Sequence, residues 1–278
     1  MRIVFLCDNR AQGPFIAQHG LAVWVEVRGR KFLWDVGPNG FWLENADHLG
    51  IAPEDAEAIL LSHGHYDHTG GLRAVMARTG SLRVLGHPDI FLRRFSVRKG
   101  ERRPIGFPLP RKEVEDLGAV FELAEGARRL DDGIWLTGEV PKRTEFEVPE
   151  ESFRTPSGEV DLLRDDQALV IGTDEGLVVL LGCGHSGAVN TVMYSLELTG
   201  ERRVLALVGG MHLQDAPEER VRRTAEGLKK LGVERVVAAH CTGWRAACRL
   251  AEAFGERFVY AAAGMELRFP WRRWTSRS

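Results

Sequence analysis

One short stretch, residues 60–72, constrains this chain more than any other feature. An apolar run at 58–61 predicts a buried strand, and it passes directly into three imidazoles and one carboxylate, at His63, His65, Asp67 and His68. Polar side chains packed this closely lose hydration, and a divalent metal offsets the loss because neutral imidazole and carboxylate are its natural ligands. Alternate residues of an extended segment project to the same side. We therefore expect His63 and His65 to bind one ion, and Asp67 and His68 to face a neighbouring ion.

Further histidines recur where predicted buried strands end. His185 follows strand 177–181, His212 follows strand 204–208 and His240 follows strand 233–238. If these strands lie side by side, their ends converge on one edge, where sites in α/β architectures are commonly built. Histidines without this context are expected to be surface or capping residues, and these are His19, His48 and His87.

The composition limits the class of protein. A chain of 278 residues that is 44% hydrophobic can form one large domain or two small ones, and a formal charge of −2 does not favour nucleic-acid binding. Four cysteines do not make a disulfide framework, which favours a reducing cytoplasm. No apolar run approaches the roughly 18 residues of a membrane span. We expect a cytoplasmic protein with a small-molecule substrate and no membrane partner; the sequence leaves the oligomeric state open.

The order of predicted elements favours a single domain, 1–278. Three short strands before residue 36 predict an antiparallel meander, and strands alternating with helices resume at residue 167. Residues 91–160 are rich in Pro and Arg and have weak apolar periodicity, so we interpret them as an insertion or lid. The basic, aromatic residues 271–278 are expected to be a loosely attached terminus.

These motifs resemble those of the metallo-β-lactamase-fold hydrolases. The phrase His63-x-His65-x-Asp67-His68 matches the first motif of that superfamily, and Asp35 resembles its acid at the end of an early strand. Narrower phrases resemble the branch named after a dihydropterin (ribofuranosylaminobenzene 5′-phosphate) synthase, namely residues 62–71, 138–141, 182–187, 209–213 and 240–243.

The resemblance implies an αββα sandwich with metals at one edge. It also implies that a first metal binds His63, His65 and His185, and that a second binds Asp67, His68 and His240. Two zinc ions are expected, with manganese or iron as alternatives. The chain departs from the superfamily at Met211-His212, where an aspartate commonly bridges both metals. Asp215 is a possible substitute, but we favour His212.

Metal-dependent hydrolysis is the first functional hypothesis. A bound water whose pKa falls to about 7 provides a metal-bound hydroxide as the nucleophile. Asp67 would orient that water as well as bind metal, and His212 would protonate the leaving group.

Phosphate-bearing substrates are attractive because helices are predicted to follow His185 and His240. Ser186 and Thr242 lie at the predicted N-termini of these helices, where backbone N–H groups can bind an anion, although simple capping explains them equally well. Lys142 and Arg143 on the predicted lid would add charge contacts; the alternative is an exposed basic loop.

Three other hypotheses stay open from the sequence. The branch resemblance implies a metal-dependent transferase, in which an activated pterin loses a diphosphate. Gly182-x-Gly184-x-x-Gly187 formally matches a dinucleotide-binding fingerprint, although no acid ends the following strand. A non-catalytic metal-binding or redox protein is the third. Cys183 and Cys241 lie near predicted ligands and either bind metal or are small buried residues.

Overall fold

Two seven-stranded sheets pack face to face in the computed structural model, which describes residues 1–269. The prediction for residues 271–278 falls outside this range. Successive side chains of a strand point to opposite faces, so alternate apolar residues of both sheets fill the space between them. Phe5 and Trp34 of the first sheet and Leu180 and Val208 of the second belong to this shared core.

The first sheet combines an antiparallel meander with parallel strands. Its strands are β1 (Arg2–Cys7), β2 (Ala22–Val27), β3 (Arg30–Trp34), β4 (Ala58–Leu60), β5 (Leu82–Gly86), β8 (Ala119–Leu123) and β17 (Glu266–Arg268). Their order is β17-β1-β2-β3-β4-β5-β8. The predicted meander is confirmed in β1, β2 and β3, and β3, β4, β5 and β8 run parallel.

The second sheet is parallel over one half. Its strands are β9 (Arg128–Asp131), β10 (Ile134–Leu136), β12 (Ala168–Thr173), β13 (Gly176–Leu181), β14 (Val204–Gly209), β15 (Val233–Ala238) and β16 (Phe258–Tyr260). Their order is β16-β15-β14-β13-β12-β10-β9, and β13 to β16 run parallel. A side-chain hydrogen bond joins the two sheets, because Trp34 Nε1 donates to the carbonyl of Leu181 at 3.1 Å.

Helices cover the outer face of each sheet. They are α1 (Trp42–His48), α2 (Tyr66–Thr69), α3 (Leu72–Thr79), α4 (Arg111–Asp116), α5 (Ala188–Thr199), α6 (Glu218–Lys230) and α7 (Trp244–Phe254), with 3₁₀ turns at Pro53–Asp55, Pro88–Phe91, His240–Thr242 and Gly255–Arg257. Apolar residues of α1, α3 and α4 pack on the first sheet, and those of α5, α6 and α7 on the second. The predicted αββα sandwich is confirmed. In residues 1–269, the helices lack the length and apolar content needed to cross a membrane.

Residues 91–160 do not form one insertion, so the boundaries predicted for the lid are wrong. β8 pairs with β5 in the first sheet, and β9 and β10 complete the second sheet beside β12. These strands lie at or near sheet edges and are partly exposed, which explains their weak apolar periodicity. A separate three-stranded sheet remains, formed by β6 (Phe95–Arg98), β7 (Glu101–Pro104) and β11 (Phe153–Arg154).

Candidate metal centre

A cleft of about 500 Å³ opens where the carboxyl ends of the parallel strands meet. The loops after β4, β13, β14 and β15 carry the predicted histidines to this edge of the two sheets, as the sequence predicted. Five of the predicted site residues line the cleft, namely His65, Asp67, His185, His212 and His240. The small β6-β7-β11 sheet supplies one wall through Ser96, Arg98, Arg103 and Phe153.

The first histidine group consists of His63, His65 and His185. His63 Nε2 lies 3.0 Å from His65 Nδ1, and the ring of His185 lies 4.8 and 4.9 Å from the rings of His63 and His65. All three side chains are buried, and no hydrogen bond satisfies His65 Nε2 or either ring nitrogen of His185. Unpaired buried polar atoms are costly. These nitrogens therefore fit a metal ion, which would satisfy them together.

The second group consists of Asp67, His68 and His240, with a fourth member, His19, that the sequence prediction missed. His240 Nε2 lies 3.3 Å from Asp67 Oδ2 and 3.2 Å from His68 Nε2. His19 Nε2 approaches the same Asp67 oxygen at 3.3 Å. His19 is exposed, as expected for a surface residue, but the segment before β2 also carries it to the cleft. Its sole sequence signal was a position directly before a strand.

Buried and partly buried polar groups orient the second group. Asp35 Oδ2 accepts from His68 Nδ1 at 2.7 Å and from the Ser62 hydroxyl at 2.7 Å. Asn9 Oδ1 lies 2.8 Å from His240 Nδ1, and Asp8 accepts from the His240 backbone N–H at 2.8 Å. Such contacts fix the tautomer and direction of a ligating imidazole, leaving Nε2 available. The resemblance pointed to Asp35, whereas Asp8 and Asn9 were missed.

An ion-pair network supports the loop that carries His63 and His65. The Gly64 backbone N–H donates to Asp165 Oδ2 at 2.7 Å. Arg94 is 1% exposed and binds both oxygens of Asp165 at 2.7 and 2.8 Å, and Asp161 at 2.7 Å. There is no room for a side chain at Gly64, since a Cβ there would lie 2.1 Å from the carbonyl oxygen of Ile90. Arg94, Asp161 and Asp165 were all missed from the sequence.

Backbone strain is concentrated at the same place. Asp35, His212 and His240 adopt φ angles of 57°, 46° and 46° in the left-handed region. This conformation costs a non-glycine residue about 1–3 kcal/mol, so it persists only where surrounding contacts hold the backbone in place. The contacts of Asp35 and His240 described above provide that constraint.

Burial and neighbouring charges set the protonation states of several candidate ligands. Burial lowers the pKa of His63, His65 and His185 well below the usual range, so these imidazoles are neutral at pH 7, as metal ligation requires. Burial alone would raise the pKa of Asp67. The neighbouring His68, together with His19 and His240, outweighs burial and holds the pKa of Asp67 well below its ordinary value.

Sequence comparison places this site in a known family. A profile of the Metallo-beta-lactamase superfamily matches residues 17–194. The chain belongs to this superfamily. It is 34% identical to the 7,8-dihydropterin-6-methyl-4-(beta-D-ribofuranosyl)-aminobenzene-5'-phosphate synthase of Methanocaldococcus jannaschii, over 97% of both chains. It is 31% identical to an uncharacterised protein of the same archaeon, over 94% of this chain and 98% of that one.

A solved structure described as a metal-dependent hydrolase of the beta-lactamase superfamily has the same architecture. The two chains are 33% identical and superpose with a TM-score of 0.85, over 96% of this chain and 98% of the other. The protein is thus a metal-dependent enzyme of the metallo-β-lactamase superfamily, with groups of side chains that could hold metal ions in the cleft.

His212 lies beside the first histidine group. Its ring lies 4.4 Å from that of His185, it lines the cleft, and its buried Nδ1 has no hydrogen-bond partner. Asp215 also lines the cleft, but its carboxylate is half-exposed and bound to Arg98 at 2.8 Å. The structure therefore favours His212 over Asp215 as a functional group near the candidate ligands.

Two predicted substrate-binding residues lie elsewhere. Lys142 donates to the carbonyl of Leu162, and Arg143 forms a salt bridge with Glu197 on α5 at 2.6 Å. Neither side chain lines the cleft. The prediction is corrected because the segment carrying them packs along α5 instead of covering the cleft.

Ser186 and Thr242 are buried structural residues, which corrects the prediction that they bind substrate. The Ser186 backbone N–H donates to Asp166, and the Thr242 hydroxyl accepts from the Met211 backbone N–H. The buried carboxylate of Glu147 already accepts from the N–H groups of Val189 and Asn190 at the start of α5, both at 2.9 Å. This arrangement also removes the anion site required by the dinucleotide-binding hypothesis.

Cationic side chains missed from the sequence line the cleft above the candidate ligands. They are Arg98, Lys99, Arg103 and Arg220. Arg98 is paired with Asp215, and Arg220 donates to the Val148 carbonyl. Within residues 1–269, the charged groups of Lys99 and Arg103 make no hydrogen bond or salt bridge. These two cations are therefore free to bind an anionic ligand.

Proposed function

We propose that this enzyme acts on a phosphate-bearing small molecule, which it joins to a second substrate as a phosphate-containing leaving group departs. The proposal rests on two features of one cleft. Buried side chains of the kind that bind metal ions lie at its base, and unpaired cations line it above them. Charge-assisted hydrogen bonds from Lys and Arg are suited to phosphate oxygens. The same cleft therefore offers a place for divalent ions and a place for a phosphate.

We propose that His63, His65 and His185 bind one divalent ion, and that Asp67, His68 and His240 bind a second. The unpartnered nitrogens of the first group and the converging Asp67, His68 and His240 atoms of the second support this assignment. When bound, such ions supply Lewis acidity that stabilises negative charge on phosphate oxygens. Imidazole and carboxylate donors suit zinc, manganese or iron.

The remaining residues would bind and orient the substrates. Arg103 and Lys99 would hold the phosphate group, and the aromatic rings of Tyr66 and Phe153, which line the same cleft, would pack against a planar ring. His212 would hold a proton at Nδ1 and donate it to the departing group. Its position beside His185 and the absence of a hydrogen-bond partner at Nδ1 support this role.

The 34% identical archaeal synthase favours transfer as the reaction. Its name describes a product that contains both a dihydropterin and a ribofuranosyl-aminobenzene 5'-phosphate. We propose a reaction of the same class, in which a bond to a diphosphate leaving group breaks and a bond to the aromatic acceptor forms.

Hydrolysis is the second candidate, and the 33% identical structure described as a metal-dependent hydrolase favours it. Here water replaces the acceptor, and Asp67 would orient it. Hydrolysis, the first hypothesis from the sequence, stays a prediction.

An acceptor-omission experiment separates the two candidates. Zinc-loaded enzyme is incubated with a dihydropterin methyl diphosphate, with and without ribofuranosylaminobenzene 5′-phosphate, and both diphosphate release and the coupled product are measured. Transfer predicts diphosphate release that depends on the acceptor, and a product whose mass is the sum of the two substrates less diphosphoric acid. Equal release without the acceptor supports hydrolysis instead. No turnover here, or with phosphomonoesters, phosphodiesters, thioesters and lactones, contradicts both candidates.

A further inference from the structure

The thiol of Cys183 lies between the two groups of candidate ligands. Its Sγ and one ring nitrogen each of His63 and His185 lie within 4.8 Å of one another. The same is true of Cys183 Sγ with His68 and His240. The sulfur is 3.1 Å from His68 Nε2, and the residue is 3% exposed. One buried atom is thus shared by both groups.

The end of β14 provides no carboxylate at this position. There is no room for a side chain at Gly210, since a Cβ there would lie 2.5 Å from the Gly182 carbonyl oxygen and 2.7 Å from Cys241 Sγ. Met211 is buried in the apolar core beneath the outer helices. Asp215 is half-exposed and paired with Arg98. The residues after β14 therefore place no carboxylate between the two groups, where Cys183 Sγ lies.

The surroundings of Cys183 differ from those of a cysteine that only fills apolar space. Its Sγ contacts an imidazole nitrogen of His68, and both ring nitrogens of the neighbouring His185 lack a hydrogen-bond partner although the side chain is only 5% exposed. A buried cluster of nitrogen and sulfur donors in which some nitrogens are unsatisfied is the donor set of a metal site.

We propose that Cys183 Sγ is a metal ligand shared by the two histidine groups. It binds as the thiolate, and its proton is released to solvent when the metal enters. Because a thiolate is a soft ligand, this site should prefer zinc, cobalt or ferrous iron over manganese and magnesium. The inference concerns the metal centre only and holds for either transfer or hydrolysis.

Cobalt substitution tests the proposal without using activity. Protein loaded with Co²⁺ should show a sulfur-to-cobalt charge-transfer band in the near ultraviolet, and Cys183→Ser should abolish it. The same variant should bind zinc more than about 10-fold more weakly, since even removal of a residue that only orients a ligand costs that much. Matched controls are Cys241→Ser, at the neighbouring, partly buried cysteine, and Cys248→Ser, at an exposed one; both should retain the band.

X-ray absorption of the zinc-loaded, unsubstituted protein tests the proposal even if Cys183→Ser fails to fold. It should show a sulfur scatterer at about 2.3 Å beside nitrogen and oxygen at shorter distance, and Cys241→Ser should leave that scatterer in place. Absence of sulfur from the zinc shell would overturn the proposal. Persistence of the cobalt band in folded Cys183→Ser, or its loss in Cys241→Ser alone, would overturn it equally.

Discussion

The Asp165 carboxylate accepts the backbone N–H of Gly64 at 2.7 Å, directly between His63 and His65. Asp165 lies 101 residues later in the chain, and buried Arg94 holds its two oxygens. The loop that carries two candidate ligands therefore depends on an ion pair contributed by distant segments.

Substituting Arg94 with Met should strongly destabilise the fold. The change leaves Asp161 and Asp165 buried without their partner, and breaking a buried pair in this way costs about 3–5 kcal/mol. Urea unfolding of metal-free protein measures the free energy directly. Arg249→Met, which removes a guanidinium paired with Glu218 and Glu252 at the surface, is the control and should change the unfolding midpoint far less. Equal effects of the two substitutions would contradict the role assigned to Arg94.

Asp35→Asn should weaken metal binding to the second group. The amide cannot keep all three contacts of the carboxylate, which are to the Ser62 N–H, the Ser62 hydroxyl and His68 Nδ1. Loss of an orienting partner costs about 10–100-fold in metal affinity. Competition with a chromophoric chelator measures this affinity, and Asp131→Asn at an exposed position is the control. An unchanged affinity for Asp35→Asn would show that His68 does not need this partner.

Arg103→Ala should raise KM for a phosphate-bearing substrate by about ten-fold or more, because a hydrogen bond to a charged group contributes about 1.5–3 kcal/mol. Lys142→Met and Arg143→Gln are matched controls, since both cations were predicted from the sequence but lie outside the cleft. Steady-state kinetics of the three variants should separate them. A raised KM in either control with no change in Arg103→Ala would reverse the assignment.

His212→Gln should lower kcat by about 10²–10⁴-fold, the usual contribution of a positioned proton donor. The ring of His212 faces the cleft, whereas His48 is exposed on α1, so His48→Gln is the control. Metal content of both variants should stay at the level of the unsubstituted protein. A parallel loss of metal from His212→Gln would identify the residue as a ligand instead.

Glu147→Gln should change how stability depends on pH. Burial raises the pKa of Glu147 above its ordinary value of 4.5, although contacts with Val189, Asn190 and Thr144 oppose the shift. The folded state therefore binds this proton more tightly than the unfolded chain, and that contribution is lost as pH rises above about 4.5. Between pH 4.5 and 7.5, the melting temperature of Glu147→Gln relative to that of the unsubstituted protein should increase as pH rises. A constant difference in melting temperature would contradict the shift.

The candidate ligands could be predicted because their signal is local. His63, His65, Asp67 and His68 fall within six positions, and His185 and His240 each follow an apolar strand. Parallel strands bring such ends together without further information. The regular strand pattern also predicted the meander, whereas the αββα layers were implied by the resemblance to the metallo-β-lactamase-fold hydrolases.

The missed residues depend on contacts between distant segments. Asp165 acts through Gly64, Glu147 caps α5, and His19 reaches Asp67 from the turn before β2. The sequence signals for these residues were weak, since His19 shortly precedes a strand and three acids at 161, 165 and 166 precede a buried strand. Lys142 and Arg143 were misassigned because charge alone does not show which way a loop packs.

Metal content tests the central claim most directly. Elemental analysis by plasma mass spectrometry of protein purified without added metal, and again after stripping with a chelator and reloading with zinc, gives both identity and stoichiometry. The structure leads us to expect two divalent ions per chain after reloading, with binding reduced in a His63→Ala, His185→Ala double variant. A folded protein that retains no divalent metal in either preparation would contradict the account.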